Sequence, residues 1–415
     1  MACISRFYPF FCSILLLCSI SIKGSQFSID TGLLDSANSN RAIAQFNLDV
    51  MGATNDILRW THKSSQMSRL VTKGYFIANI FLPYHIGSLV NLAYHEFGHG
   101  GRADALGYNH YYQLAFSFDD DQHSAKLHTY YDLFFAIMMN PFIEGASASY
   151  YGEMYDHISS DEQAFFSALI SANGVNNEMF LASRLSDQNY DRGRGTIFDF
   201  LTYHQSKLAV YGYARSEEKG VFGDSGLGDL SYVQSYYEDQ HKLSVSMSDF
   251  KSYNLVAYFF SAQTWAYFNA IPDYIYRDEF NFSMAPFNGW RLPEVDFYLN
   301  PQGPSYLVRS QYEWSSSLSI PFAIEYVFLG DQVLEYTVGV RSNWSSFLST
   351  YTECRLGQQV GFSQTVSMAL TDRWITGIGW IHYSGKNLYG ARHIPSFERS
   401  DWRADDFFIS TTYLL

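Results

Sequence analysis

The sequence predicts an α+β protein, in which a helical part precedes an antiparallel β-barrel of about eight strands. Apolar residues cluster with helical spacing from about Gln26 to Tyr276, and from about Glu279 they alternate with polar residues, which is the period of a strand. Aromatic residues make up 18% of the chain and charged residues only 16%, a balance that is unusual for a cytosolic enzyme. The predicted parts are a signal peptide at 1–24, a helical domain at 25–278 and a barrel at 279–415.

The first residues have the pattern of an export signal. Arg6 supplies a weak positive charge, an apolar core covers positions 10 to 22, and the small residues Ser19 and Ser21 precede a cleavage site near Gly24. An N-terminal anchor helix is the alternative. Three of the four cysteines lie in this segment, so the mature chain would keep Cys354 alone and form no intrachain disulfide.

Charge and hydropathy narrow the expected partners. The formal net charge of -14 becomes two units more negative when the signal is removed, so we expect no nucleic-acid partner. The apolar clusters of the helical part are short or interrupted by polar residues and proline, which is too polar for confident insertion into lipid. These clusters suit buried helices of a globular domain, or helices that touch a membrane surface. The sequence leaves the oligomeric state open.

The second part alternates between two different faces. One face is large and apolar, and the other is mostly Ser, Thr, Gly and Ala, whereas a soluble sandwich would carry charge on its outer face. The pattern therefore favours a polar-lumen barrel in the bacterial outer membrane, with membrane lipid as a partner. A soluble barrel or sandwich in a periplasmic or secreted protein is the alternative. The alternating runs are 306–314, 318–328, 334–340, 360–370 and 407–415.

The most specific motif is His95-Glu96-Phe97-Gly98-His99. Residues four apart share one face of a helix, so His95 and His99 can offer two imidazole nitrogens to one zinc ion. Glu96 is then placed to act on a metal-bound water, as in H-E-x-x-H metalloproteases. An ordinary helix that carries two histidines, or a metal site without peptidase activity, would contain the same residues.

The motif and the residues after it resemble the site-2 protease family of zinc metalloproteases. The pattern of that family, H-E-x-x-H-x-x-x-A-x-x-x-G, also matches Ala103 and Gly107, and the motif helix there leads into a hairpin or sheet, as the alternating segment 108–118 would here. The family takes its third zinc ligand from an Asp-Gly pair after an Asn-Pro motif. The resemblance, which covers about 94–151, therefore implies Glu144 of Asn140-Pro141-Phe142-Ile143-Glu144-Gly145 as third ligand, with glutamate replacing aspartate.

Other side chains are weaker candidates. Glu144 also fits zinc peptidases that use a downstream glutamate as third ligand, although it can equally be an ordinary carboxylate at a helix start. Asp104, five residues after His99, falls off the ligand face if the helix continues. The secondary candidates for a metal or an adjacent role are Asp104, Asn140, His123 and His128, the two histidines bordering the acidic run 119–121.

Two functions remain. The first is a zinc-dependent endopeptidase of the bacterial cell envelope, in which Zn²⁺ activates a water molecule and Glu96 is the general base acting on a protein or peptide substrate. An extended substrate would be held by strand addition to segment 108–118. The second is an outer-membrane barrel whose helical domain binds metal or partners without catalysis.

Overall fold

The computed structural model describes most of the chain. The described residues are 26–34, 39–64, 69–115, 125–140, 143, 145–151, 158–220, 228–277, 279–284, 286–357, 360–383 and 404–414. Of residues 32, 34, 57–64, 69–85, 383 and 404–406, the structure describes the backbone alone. The predicted signal peptide lies outside these ranges.

Helices dominate the described residues before position 278, as the apolar spacing predicts. Of the two longest, α3 (Arg69–Ala105) carries the H-E-x-x-H motif at its C-terminal end, and α5 (Ser160–Asp191) packs against it. Within the described residues, no helix combines the length and the hydropathy of a segment that crosses a bilayer. The helices are α1 (Thr31–Leu34), α2 (Asn40–Ser64), α3 (Arg69–Ala105), α4 (Tyr130–Met139), α5 (Ser160–Asp191), α6 (Phe200–Lys207), α7 (Ala209–Glu218), α8 (Asp229–His241), α9 (Met247–Phe259) and α10 (Ala262–Arg277).

The predicted alternating runs are confirmed as strands of one antiparallel sheet. The sheet has nine strands in the order β1-β13-β12-β11-β10-β9-β8-β7-β6, and two short pairs, β2 with β3 and β4 with β5, lie in the helical part. The strands are β1 (Gln26–Asp30), β2 (Asn109–Ala115), β3 (Gly145–Tyr151), β4 (Arg194–Thr196), β5 (Asn281–Ser283), β6 (Trp290–Asn300), β7 (Gly303–Ser315), β8 (Leu318–Val327), β9 (Leu334–Asn343), β10 (Leu348–Leu356), β11 (Val360–Ala369), β12 (Trp374–Tyr383) and β13 (Ala404–Leu414).

The prediction of a closed barrel is wrong for the described chain, because the sheet stays open between β1 and β6. Side chains of the helical part, one on α5 and one between α9 and α10, bond to the free edge of β6 in place of another strand. Asn176 of α5 donates to the Leu299 carbonyl and accepts from the Leu299 N–H, at 2.8 and 3.0 Å. Ser261 does the same for Val295, at 2.9 and 3.1 Å. An edge whose backbone groups are already bonded has no need to pair with β1.

Residues of all nine strands and of the C-terminal half of α5 line one cavity, so the sheet curls around this part of the helix, which lies on its concave side. Arg309 of β7 pairs with Asp187 of α5 at 2.6 Å, and Arg341 of β9 pairs with Asp191 at the same distance. The polar, small-residue face of the strands points towards this helix. The apolar face is on the convex side, where Val338 is 51% and Ile378 49% exposed. Polar groups inside and apolar groups outside reverse the arrangement of a soluble sheet.

A buried ionic network fixes α6 against the edge strand of the sheet. Lys207 at the end of α6 is fully buried and binds the Asp296 carboxylate at 2.5 Å, with Glu294 at 3.8 Å. Burial alone would raise the pKa of Asp296, but Lys207 and Arg309 lower it to about 2. These contacts position the helices that surround the motif.

Helices α3 and α5 touch backbone to backbone at the motif. A Cβ atom on Gly98 would lie 2.4 Å from the Asn173 carbonyl oxygen, so a larger residue would force the helices apart. The Asn173 side chain donates to the Gly98 carbonyl at 2.8 Å. The glycine inside the motif therefore allows α5 to pass directly beside the two histidines.

Candidate metal centre

Three side chains converge beside the α3–α5 contact. The Nε2 atoms of His95 and His99 are 3.0 Å apart, and the Asp229 Oδ2 atom lies 3.2 Å from the first and 3.1 Å from the second. Within the described residues this is the group of His, Cys, Asp and Glu side chains whose donor atoms lie close enough together to hold one metal ion. His95 and His99 are buried, and the Asp229 side chain is 20% exposed.

The geometry of α3 and a glycine on α5 make this convergence possible. The two histidines stand one turn apart on the same helix face, as their spacing predicts. A Cβ atom on Gly174 would lie 2.5 Å from His99 Nε2 and 2.7 Å from His95 Cε1. We infer that α5 needs glycine at this position to leave room for both rings.

Each histidine is oriented through its other ring nitrogen. His99 Nδ1 donates to the Ile170 carbonyl at 2.8 Å, and His95 Nδ1 lies 2.8 Å from the Glu178 carboxylate. Both acceptors are on α5. Each holds a proton on Nδ1 of its histidine, so the lone pair on each Nε2 atom faces the other histidine. Histidines that bind metals are commonly held in this way by a carbonyl or a carboxylate.

Asp229 is the first residue of α8 and faces the pair of histidines. Burial alone would raise the pKa of its carboxyl, but His99 and His95 hold it well below the usual range. For His95, burial alone would lower the pKa, whereas Asp229 and Glu178 raise it well above the usual value. A metal ion would take the place of the proton that the three groups otherwise share.

Two residues of α7, Tyr213 and Glu217, hold the Asp229 carboxylate and the His95 ring in position. Tyr213 of α7 stacks on His95 with ring centroids 4.7 Å apart and an interplanar angle of 14°, and it is hydrogen-bonded to Asp229. Glu217 accepts from the Leu230 and Ser231 backbone N–H groups at 2.9 and 3.0 Å, which caps the first turn of α8. The start of α8 is thus tied to α7.

Glu96 lies on α3 next to the histidines and is 4% exposed. Burial raises the pKa of its carboxyl to about 7, even though His99 and His95 act in the opposite direction. Its carboxylate accepts the backbone N–H of Ala148 on β3. A carboxylate with a pKa near neutrality suits a general base that works at neutral pH.

Strand β3 presents its outer edge to Glu96. Tyr112 of β2 exchanges backbone hydrogen bonds with Leu127 at 2.8 and 2.9 Å, so β2 is bonded there on the side away from β3. Tyr112 lies opposite Ala148 in the β2–β3 register. The backbone N–H of Ala148 therefore points away from β2, towards Glu96. In the described part of segment 108–118, the outer edge of β2 is bonded to Leu127, and the edge of β3 is the one next to Glu96.

The donor set fits a zinc ion with one open position. Two imidazole nitrogens and one carboxylate oxygen are common zinc ligands, and catalytic sites keep a fourth position for water. Zinc bonds of about 2.0–2.1 Å in a tetrahedral arrangement place the ligand atoms about 3.3 Å apart. The three distances observed, 3.0 to 3.2 Å, are close to that spacing.

Of the residues predicted from the motif, the structure brings His95, Glu96 and His99 together. The predicted third ligand, Glu144, and His123 lie outside the described residues. Asp104 binds the His110 ring at 2.7 Å. Asn140 is an exposed C-cap of α4 whose amide donates to the Ala136 carbonyl at 2.7 Å, and His128 is exposed.

The sequence analysis did not identify Asp229, Glu178 or Tyr213. Asp229 comes 130 positions after His99 in the numbering and follows a stretch rich in glycine, where an acidic residue is as ordinary as at any helix start. Glu178 does lie four residues after Gly174, but only the packing of α5 on α3 shows that it faces His95. Tertiary structure alone joins these residues to the motif.

No protein-family model, curated protein or solved structure significantly matches this chain.

Proposed function

We propose that the protein is a zinc-dependent endopeptidase of the bacterial cell envelope. The observation that carries the proposal is the meeting of two Nε2 atoms and a carboxylate oxygen at 3.0 to 3.2 Å, with a buried glutamate beside them. Two imidazole lone pairs repel each other at this distance unless a cation or a proton lies between them. Zinc would supply that charge, and the H-E-x-x-H spacing puts Glu96 directly after the first histidine, as the proposed mechanism requires.

The roles of the residues follow from their positions. His95, His99 and Asp229 would hold Zn²⁺, which lowers the pKa of a bound water and polarises a carbonyl. Glu96 takes a proton from the attacking water and passes it to the leaving amine. Glu178 and the Ile170 carbonyl keep the two imidazoles in the tautomer that binds metal.

The substrate is best held as an extended peptide along the outer edge of β3. The Ala148 N–H is bonded to the Glu96 carboxylate on that edge, so a peptide that pairs with the neighbouring residues of β3 would lie next to the general base. Backbone hydrogen bonds hold an added strand whatever its side chains are. This favours an endopeptidase that recognises extended segments of protein or peptide.

Metal removal and hydrolysis test the proposal directly. We expect purified protein to contain about one zinc per chain, as one donor set implies, and to cleave an unstructured protein substrate such as casein. Dialysis against a chelator should abolish cleavage, and one equivalent of zinc should restore it. Metal analysis and fluorescence release from labelled casein measure the two quantities. The alternative is a domain that binds metal without catalysis, and the burial of Glu96 is also consistent with it. One zinc per chain without any cleavage of casein or of a peptide library would favour this alternative.

We further propose that the convex face of the sheet contacts outer-membrane lipid. Apolar residues on that face are exposed along strands β7 to β13, with Val338, Val366 and Ile378 among them. Four tryptophans, 45 to 69% exposed, mark one rim of the sheet: Trp290, Trp314, Trp344 and Trp374. Their shared rim follows from the antiparallel order. Two of them begin β6 and β12, one is next to the last residue of β7, and one directly follows β9. Exposed aromatic rings at one level are typical of a membrane–water interface.

A charged substitution on the convex face tests whether this face contacts lipid or water. Val338→Arg places a guanidinium in the middle of β9. If the face lies in a bilayer, the substitution should reduce the free energy of unfolding by about 2–4 kcal/mol in lipid. In water an exposed substitution changes stability by about 0.5 kcal/mol or less. Urea unfolding in vesicles measures the difference. Tyr276→Arg, at an 80% exposed position on α10, is the control, and equal small effects for both variants would refute lipid contact.

A further inference from the structure

The space between the curled sheet and α5 contains a large cavity that both charged and apolar side chains line. Its volume is about 560 Å³, within the range of small-molecule sites. Residues of α2, α5, β1 and strands of the main sheet line it, whereas His95, His99 and Asp229 do not. The cavity is therefore separate from the candidate metal centre, although α5 contributes to both.

Positive charge exceeds negative charge on the cavity wall. Six arginines and five carboxylates line it, in a chain whose net charge is strongly negative. Most of these arginines are bound to an acid: Arg41 to Asp30, Arg291 and Arg341 to Asp191, Arg309 to Asp187, and Arg355 to Glu353. The remaining carboxylate, Glu294, lies 3.8 Å from Lys207.

Arg184 is the arginine without such a partner. In the part of the chain that the structure describes, its guanidinium forms neither an ion pair nor a hydrogen bond, and its Nε atom is buried without an acceptor. Arg309 also has an unused donor, because Nε binds Asp296 and Nη1 binds Asp187 while the buried Nη2 has no acceptor. A buried donor without an acceptor costs free energy, so an anion or water must supply the missing contacts.

Asp187 could have been the partner of Arg184, since it is three residues away on the same helix. It binds Arg309 at 2.6 Å instead. The helix thus leaves one guanidinium uncompensated inside a cavity that is large enough for a ligand. A planar guanidinium binds phosphate through two parallel N–H groups, which makes arginine well suited to this ligand.

We propose that this cavity binds a small molecule that bears a phosphate group, with Arg184 as the principal contact and Arg309 Nη2 as a second donor. A phosphate has three acceptor oxygens and a charge of about -1.5 to -2, enough to bind two guanidinium groups. A carboxylate has fewer oxygens and less charge, so it fits two guanidinium groups less well. The phosphate belongs either to a free metabolite or to a lipid headgroup. The proposal does not depend on zinc or on peptide hydrolysis.

Calorimetric titration of the full chain in detergent tests it, with inorganic phosphate and glycerol 3-phosphate as probes. We expect saturable binding that Arg184→Gln weakens at least tenfold and Arg184→Lys weakens less. Arg277→Gln is the control, because Arg277 is an exposed arginine of α10 paired with Asp273. Since Arg184 has no protein acceptor to lose, the variants should unfold at the same temperature as the unaltered chain.

Three results would overturn the proposal, and one further titration identifies the source of the phosphate. Absence of binding, or equal binding by the unaltered chain and Arg184→Gln, overturns the proposal, and so does acetate binding as tightly as phosphate. Short-chain phosphatidic acid distinguishes the two sources of phosphate. Tighter binding of this lipid than of glycerol 3-phosphate, through Arg184, identifies a headgroup, and equal binding identifies a soluble phosphate compound.

Discussion

Replacing Glu96 with glutamine should slow peptide hydrolysis at least about a hundredfold while leaving the metal in place. Glutamine has the shape of glutamate and can still accept the Ala148 N–H through its amide oxygen, but it cannot take a proton from water. General-base catalysis contributes about 10²–10⁴-fold to a rate, so kcat/KM should fall by that factor. Zinc content should stay the same, because Glu96 is not one of the three converging side chains. Casein cleavage and metal analysis on the same preparation measure both.

Glu218→Gln is the matched control for this substitution. Glu218 is an exposed residue at the end of α7, paired with Lys251, and its replacement should change neither quantity. Full activity of Glu96→Gln would rule out the proposed general base. Loss of zinc from that variant would instead show that Glu96 is a ligand, which would exclude the H-E-x-x-H mechanism for this chain.

The residues that the sequence could predict are those joined by a short local spacing. His95, Glu96 and His99 meet because one helical turn separates the two histidines, and a helix fixes that relation without any help from the rest of the fold. The alternating strands 306–314 and 334–340 were predictable for the same reason, because a period of two is a property of the local backbone. The small, polar face of those strands also pointed to its true position on the concave side.

The features that the sequence could not show depend on contacts between distant segments. Asn176 binds the free edge of β6 across more than one hundred positions, and this contact accompanies an open sheet where alternation alone predicted a closed barrel. Strand β1 pairs with β13 although it lies at the other end of the chain, so the main sheet crosses the predicted boundary at 278. Asp229 and Glu178 reach the motif by the packing of α8 and α5. Such pairings leave no periodic signal in a single sequence.

Two carboxylates compete for the place of the third ligand, and their substitution separates them. If Asp229 binds zinc, Asp229→Ala should weaken zinc binding by at least about 100-fold, since loss of even an outer hydrogen-bond partner commonly costs about 10–100-fold. Glu144→Ala should then leave affinity unchanged. Competition with a fluorescent chelator measures both dissociation constants. Asp273→Ala, at a surface ion pair of α10, serves as the control.

Asp229 begins α8, so Asp229→Ala could lose zinc because the helix start is destabilised. Asp229→Asn is therefore measured beside it. As an acidic side chain in the first turn of a helix, Asp229 contributes only about 0.3–1 kcal/mol. It also binds the two buried histidines, so the unfolding temperature of each variant is measured together with its zinc affinity. Asparagine keeps the shape and removes the charge that binds zinc. If affinity falls only in Glu144→Ala, Glu144 is the third ligand and Asp229 is a neighbour of the site. If both Asp229→Ala and Glu144→Ala release zinc, the metal has four protein ligands, as structural zinc sites do, and the endopeptidase proposal fails because no position remains for water.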